Sequence, residues 1–196
     1  MDPVVPLVLS HGWAAGVNAY LTVLLFGLTG RLGLAEVPAT FERTDVLVAA
    51  GVMATVEFGV DKVPLLDSAW DALHTLIRPV IGALLGVEIA EGQDALDQAL
   101  AGLGSGSAAL SAHAVKAGLR LAVNTSPEPF SNIAISLAED AAVAGVSFLA
   151  AKHPWIAAGV ATGLLVSGAV LLALLAKNVR RGWQRLRAWR AARPPS

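Results

Sequence analysis

The chain alternates long apolar runs with short polar stretches. A helix needs about 20 apolar residues to cross the hydrocarbon core of a bilayer. The runs predict six helices, over residues 7–29, 45–61, 66–87, 99–123, 132–151 and 155–176. The last run contains no charge. The second and fifth runs are at the short end for a span, so each could either cross the membrane fully or form a re-entrant hairpin. The pattern predicts an all-α polytopic membrane protein, a bundle of about six transmembrane helices.

A nine-residue pattern occurs twice, at the ends of the second and fifth predicted helices. Residues 56–64 and 146–154 both fit V-x-F-x-x-x-K-x-P, an apolar run ended by a lysine and a proline. Gly12 and Gly16 recur 90 residues later as Gly102 and Gly106, a G-x-x-x-G spacing that permits close helix contact in lipid. These matches predict an internal duplication.

A duplicated unit of three spans places its two copies in the membrane with opposite orientations. We therefore expect a first three-helix repeat over residues 1–90 and an acidic linker over 91–98. A second three-helix repeat over 99–177 and a basic cytoplasmic tail over 178–196 complete the chain. The architecture predicted is two inverted three-helix repeats.

Composition supports a membrane protein and excludes several kinds of functional site. Hydrophobic residues make up 55% of the chain and charged residues 15%, against about a quarter charged in soluble domains. The chain has no cysteine, which excludes disulfides, thiolate metal sites and a cysteine nucleophile. Seven of the 14 lysines and arginines follow position 176. Such a terminal tail does not suggest nucleic-acid binding, but it suits a cytoplasmic C-terminus beside anionic lipid head groups.

Ionisable side chains are costly inside a membrane and often mark a pathway. The third predicted helix carries four such residues at spacings of 4, 3 and 4, and the fourth carries three at spacings of 3 and 4; each set lies on one helix face. The candidate ion or solute path comprises Glu57, Asp61, Lys62, Asp67, Asp71, His74, Arg78, His113, Lys116, Arg120, Glu139 and Asp140.

These charges have three possible interpretations. Together with Lys152, the path residues supply six acids and five bases, which can neutralise one another in a structural ion-pair network. They can instead line a water-filled site for an ion, a proton or a polar solute. Carboxylates and imidazole are also metal ligands, although no spacing here is diagnostic of a metal.

Two runs of the sequence resemble an uncharacterised family of small bacterial integral membrane proteins, a domain-of-unknown-function family. The first run is Glu57-Phe-x-x-Asp61-Lys-x-Pro64-x-x-Asp67, followed by Arg78-Pro79. The second is Ser105-Gly-Ser-Ala-Ala-Leu-Ser-Ala-His113-x-x-Lys116-x-x-x-Arg120. The resemblance covers nearly the whole chain except the basic tail. It implies a bacterial membrane protein and supplies no activity. We expect the protein in the bacterial cytoplasmic membrane.

The first functional hypothesis is a small transporter or channel for an ion or small polar solute. Glu57 and Asp61 would bind a cation or proton, and Lys62 and Arg78 would hold them in place. The alternative is a non-catalytic scaffold or accessory subunit with a structural ion-pair network. A membrane enzyme acting on lipid head groups ranks third, because no nucleophile or metal signature supports it. No cofactor is expected; the expected partners are the bilayer, a further copy of the chain or another membrane protein.

Overall fold

The computed structural model describes residues 3–63, 65–124 and 129–191, and within these ranges every regular element is an α-helix. The motif residue Pro64 lies outside the described residues, as does the end of the basic tail from 192 to 196. The eight described helices are α1 (Val4–Val17), α2 (Ala19–Arg31), α3 (Ala39–Glu42), α4 (Thr44–Val60), α5 (Leu66–Ile89), α6 (Ala95–Val123), α7 (Pro129–Lys152) and α8 (Pro154–Ala191).

Three of the described helices are long and apolar enough to cross a membrane, namely residues 66–89, 130–152 and 154–181. Helices α1 and α2 are shorter apolar helices. The second to fifth predicted helices correspond to α4, α5, α6 and α7. The sixth continues as α8 to Ala191, so the basic segment is a helical extension as far as it is described. The acidic linker is shorter than predicted, because Asp94 caps α6 and Asp97 lies in its first turn.

The first predicted helix is wrong as a single unit, because the chain leaves helical geometry at Asn18. This residue is extended, with φ −147° and ψ 99°, and separates α1 from α2. Its side-chain oxygen accepts a hydrogen bond of 3.0 Å from the amide of Leu21 and so caps α2. Its side-chain nitrogen donates to Asp140 at 3.1 Å. A polar residue inside an apolar run therefore divides one predicted span into two helices.

Helix α6 lies along both α1 and α5, with glycines at the contacts. Gly12 lies against Ser105, and a Cβ atom at Gly16 would overlap the carbonyl of Ala109. A Cβ atom at Gly86 of α5 would likewise collide with the backbone of α6. The close approach predicted from Gly12 and Gly16 is confirmed. The first helix of each predicted repeat also packs on the last helix of the other, α1 on α8 and α6 on α5.

Polar and apolar side chains are distributed in the reverse of a soluble protein. Arg78 and Arg120 are completely buried, whereas Leu76 is 77% exposed and Phe130 is 79% exposed. Charged groups are almost never fully buried unless they are paired, and soluble monomers rarely expose large apolar surfaces. An apolar outer surface around a charged interior is the distribution that a bilayer favours. The fold is that of a helical, membrane-compatible protein.

Candidate functional site

The twelve predicted path residues come together between α4, α5, α6 and α7, and we call this cluster the charged centre. The predicted stripes are confirmed, because the four residues on α5 and the three on α6 are all buried. Glu57 and Asp61 lie at the end of α4, followed by Lys62. Glu139 and Asp140 face them from α7. Residues up to 83 positions apart in the sequence therefore occupy one site, from Glu57 to Asp140.

Arg78 connects α5 to α4 and α6. Its Nη2 atom lies 2.5 Å from Glu57 Oε1 and 3.0 Å from Asp71 Oδ1. Its Nη1 atom lies 2.7 Å from His113 Nδ1 and donates at 3.3 Å to the carbonyl of Gly16. One guanidinium thus joins two carboxylates, an imidazole and a backbone carbonyl.

Both histidines of the charged centre have hydrogen bonds that suit the neutral ring. Arg78 has only donors, so His113 Nδ1 must accept its hydrogen bond and the ring proton sits on Nε2. His74 Nδ1 lies 2.8 Å from the carbonyl of Trp70, which accepts a hydrogen bond from it. His74 Nε2 is then free to accept from the hydroxyl of Tyr20 at 2.9 Å. His113 therefore adds no positive charge to the charged centre.

Lys116, on α6, contacts three acids on other parts of the chain. Its Nζ atom lies 2.7 Å from Asp61, 3.7 Å from Glu57 and 3.8 Å from Glu139. The same nitrogen donates to the carbonyl of Val17 at 2.9 Å. Lys116 therefore ties α6 to both predicted repeats through one ammonium group.

Arg120, one turn after Lys116 on α6, also contacts three acids. Its Nη2 atom lies 2.5 Å from Glu139 and 3.4 Å from Asp61, and its Nη1 atom lies 3.4 Å from Asp67. It also donates to the Asn132 side chain at 2.9 Å. Arg120 Nη1 donates to the carbonyl of Asp61 at 2.7 Å as well. Asn132 was not predicted, since a single asparagine in the sequence does not reveal its partner.

The break between α1 and α2 lies against the charged centre. The carbonyls of Gly16 and Val17, at the end of α1, accept from Arg78 and Lys116. Because the chain unwinds at Asn18, these carbonyls are at a helix end, where such groups need partners outside the helix. The asparagine side chain also contacts Asp140. A single asparagine in an apolar run does not by itself indicate that the helix is interrupted there.

The charged centre contains more acids than bases. Its six acids face four bases, because Lys152 lies outside it, where its Nζ atom is exposed and donates to the carbonyl of Leu34 at 3.4 Å. Among the described residues, one oxygen each of Glu57, Asp61 and Asp71 lacks a hydrogen-bond partner, and the other oxygen of Asp71 has only its ion pair with Arg78 at 3.0 Å. Buried carboxylates need hydrogen bonds or cations. The site can therefore accept further positive charge.

The metal interpretation gains no support from the geometry. In the part of the chain that the structure describes, no three histidine, aspartate or glutamate side chains converge on a point that could hold a metal ion. The histidine nitrogens that face the charged centre are engaged by Arg78, Tyr20 and Thr75.

A pocket of about 240 Å³ reaches the charged centre between α1, α6, α7 and α8. Its walls are apolar, with Trp13, Leu119 and Ile135 among them, and its charged lining consists of Lys116 and Glu139. The Glu139 side chain is 15% exposed, whereas that of Lys116 is 2% exposed. Glu139 is therefore the more accessible of the two charges.

Comparison with known proteins assigns the family. No curated protein and no solved structure matches the chain. A family described as a domain of unknown function, DUF4126, matches residues 5–174. The matched range contains every residue of the charged centre and ends before the basic extension of α8. The chain therefore belongs to the DUF4126 family, in agreement with the resemblance seen in its sequence.

Proposed function

We propose that the protein is a small membrane transporter or channel for an ion or a small polar solute, which passes through the charged centre. The observation that carries this proposal is the surplus of two carboxylates over bases in the charged centre, where buried oxygens of Glu57, Asp61 and Asp71 lack hydrogen-bond partners among the described residues. Ionisable groups at membrane depth are costly and characteristically mark ion and substrate pathways. Glu57 and Asp61 would bind the cation or proton, and Arg78 and Lys116 would hold the two carboxylates in position.

The interrupted first helix supports transport. In many transporters, substrates and coupled ions bind where a membrane helix is broken, because the unwound backbone offers free carbonyl and amide groups. Here the break at Asn18 places the carbonyls of Gly16 and Val17 on Arg78 and Lys116. A helix broken beside a charged site is the feature shared with those transporters, and here the freed carbonyls hold two bases of that site.

We further propose six spans in two inverted repeats, with α1 and α2 forming one interrupted span. A shift of 90 residues places α1 and α2 on α6, α4 on α7 and α5 on α8. The packing of α1 on α8 and of α6 on α5, beside the packing of α1 on α5 and of α6 on α8, supports two related halves. The acids are not duplicated, since Ser147 and Ala151 occupy the positions equivalent to Glu57 and Asp61. The two halves would therefore contribute different charges to one path.

The basic extension of α8 suggests the orientation. Exposed cationic residues of α8, Lys177, Arg180 and Arg181, follow a long apolar segment. Basic residues beside a span favour the cytoplasmic side and bind anionic lipid head groups. We place the protein in the bacterial cytoplasmic membrane with a cytoplasmic C-terminus.

The second candidate function is a scaffold or accessory subunit without transport. The observation that favours it is the pairing of the bases, because Arg78, Lys116 and Arg120 each lie within 4 Å of at least two carboxylates. Such a network can hold helices together with no ligand. A scaffold of this kind would act with a further copy or another membrane protein.

Flux through Glu57→Gln in proteoliposomes tests the assignment. Proton flux would be followed with an entrapped pH-sensitive dye, and sodium and rubidium flux with radiolabelled ions. Thermal melting in detergent would show whether each variant is folded. Glu57→Gln should abolish the flux of the wild-type protein, because Gln cannot carry the charge that binds a cation. Asp45→Asn, at an exposed acid outside the charged centre, is the control and should leave flux intact. Wild-type flux through Glu57→Gln would contradict the site, and a wild-type protein with no flux would favour the scaffold.

A further inference from the structure

The pocket that reaches Lys116 and Glu139, which we call the entry pocket, indicates what kind of solute the charged centre binds. We propose that the solute is an amphipathic organic cation, whose apolar body occupies the entry pocket and whose positive end meets Glu139. This inference rests on the proposed function, because it names the solute of the same site. It depends on three properties of the pocket: its walls, its size and the charge at its inner end.

The walls of the entry pocket are apolar and its mouth opens on the apolar outer surface. Ala138 and Leu164 line the pocket and are exposed on that surface. A hydrated inorganic ion would lose its water along such walls without compensation. A solute with a hydrocarbon body would instead bury apolar surface there. The pocket therefore selects for a partly apolar molecule that reaches it from the bilayer.

The volume of about 240 Å³ limits the size of the solute. Sites for drug-sized ligands span roughly 300–1,000 Å³. The entry pocket lies below this range, so its solute has a body such as one aromatic ring or a short alkyl group. A whole phospholipid does not fit within it.

The charge at the inner end favours a cation. Glu139 Oε2 is paired with Arg120 at 2.5 Å and with Lys116 at 3.8 Å. Among the described residues, Glu139 Oε1 has one hydrogen bond, of 3.5 Å from Arg120 Nε, so this oxygen can face an incoming positive charge. Asp61 faces the same two bases, and the charged centre as a whole has two more acids than bases. An incoming positive charge would reduce that surplus.

Trp13 adds a second feature that attracts a cation. Its ring lies in the wall of the entry pocket. The face of an indole ring attracts quaternary and other organic cations when water is excluded. An anion would gain nothing from this ring and would have to reach Lys116, which is 2% exposed, past the carboxylate of Glu139.

Binding of benzyltrimethylammonium to the purified full chain, measured by calorimetry in detergent, tests the inference. Its uncharged carbon isostere neopentylbenzene and the anion phenylmethanesulfonate have the same apolar body and are the matched probes. We expect the cation to bind more tightly than either. Glu139→Gln should weaken cation binding by about tenfold or more, since it removes a charge-assisted interaction, while neopentylbenzene binding stays unchanged. Equal or tighter binding of the sulfonate, or of the cation to Glu139→Gln, would overturn the proposal.

A pair of tryptophan variants keeps the test independent of the stability of Glu139→Gln. Ala138→Trp places an indole at the mouth of the entry pocket and should abolish binding of the cation. Ala134→Trp, one turn away on the same exposed face of α7, should bind it like the wild-type chain. Binding that survives Ala138→Trp would show that the cation does not use this pocket. Binding without any flux would refute transport alone, whereas flux of inorganic ions without binding of the organic cation would refute this inference alone.

Discussion

Burial separates two arginine–carboxylate pairs of similar length. Arg78 and Glu57 lie 2.5 Å apart and are fully buried. Arg43 and Asp45 lie 2.7 Å apart, with side chains 64% and 66% exposed. An exposed pair contributes little because water screens it. In a buried pair, removal of one partner leaves the other charge without compensation in a medium of low dielectric constant.

Replacing Arg78 by methionine should therefore destabilise the protein strongly. The change keeps an apolar side chain of similar length but leaves Glu57 and Asp71 without their guanidinium. We expect a loss of about 3–5 kcal/mol in the free energy of unfolding, measured by denaturant unfolding in detergent. Adding Glu57→Gln to Arg78→Met should restore part of the loss, since one unpaired charge is removed.

Asp45→Asn is the matched control, because it breaks an arginine–carboxylate pair at the surface. It should unfold like the wild-type protein. If Arg78→Met unfolded at the same denaturant concentration as this control, the arginine would not be paired inside the bundle as the structure describes.

Elements pack through small residues at the crossing of α5 and α6. A Cβ atom at Gly86 would overlap the Ala101 carbonyl and lie 2.7 Å from the Ser105 Cβ. In lipid, the hydrophobic effect does not drive helices together, so close backbone packing and hydrogen bonds must do so. The crossing therefore depends on the absence of a side chain at this glycine.

Gly86→Ala should push α5 away from α6 and lower the free energy of unfolding by about 1–3 kcal/mol. Gly163→Ala is the matched control in α8, where no described atom lies within 4 Å of the added methyl group. Alanine is the better helix former, so this control should be unchanged or slightly more stable. Thermal melting of both variants in one detergent provides the comparison. Equal melting temperatures would contradict the close crossing.

At the scale of the whole molecule, the proposed inverted repeat makes the turns after α4 and α7 equivalent. Val63 follows α4 and His153 follows α7, 90 residues later, and both are exposed. If the repeats are inverted, these turns lie on opposite sides of the membrane. The chain contains no cysteine, so a single introduced thiol reports its own side.

Val63→Cys and His153→Cys should label from opposite faces. The measurement is modification by a membrane-impermeant thiol reagent in intact cells and in inside-out vesicles. One variant should react in the first preparation and the other in the second. Reaction of both from the same face would refute the inverted repeat, without affecting the description of the charged centre.

The sequence by itself determined where most helices lie and which residues form the charged centre. Apolar runs and charges inside them are local properties of composition, so they predicted α4 to α7 and the twelve residues that cluster in the charged centre; that these residues form a path stays a prediction. Two errors remain, and both concern contacts between residues far apart in the sequence. Asn18 lies in an apolar run that is long enough for one span, but the helix breaks there because its side chain caps α2 and contacts Asp140. Lys152 matched Lys62 in the repeat but lies outside the charged centre.

Tertiary structure decided which charges meet. Lys116 and Asp61 are 55 residues apart in the sequence and 2.7 Å apart in space. That contact depends on how α4 and α6 are rotated against each other, which apolar periodicity within a single helix does not specify. The surplus of carboxylates, the backbone carbonyls at the helix break and the entry pocket depend on the same placement. They arise because small residues let α1, α5 and α6 approach closely, which brings distant polar residues together where water cannot solvate them.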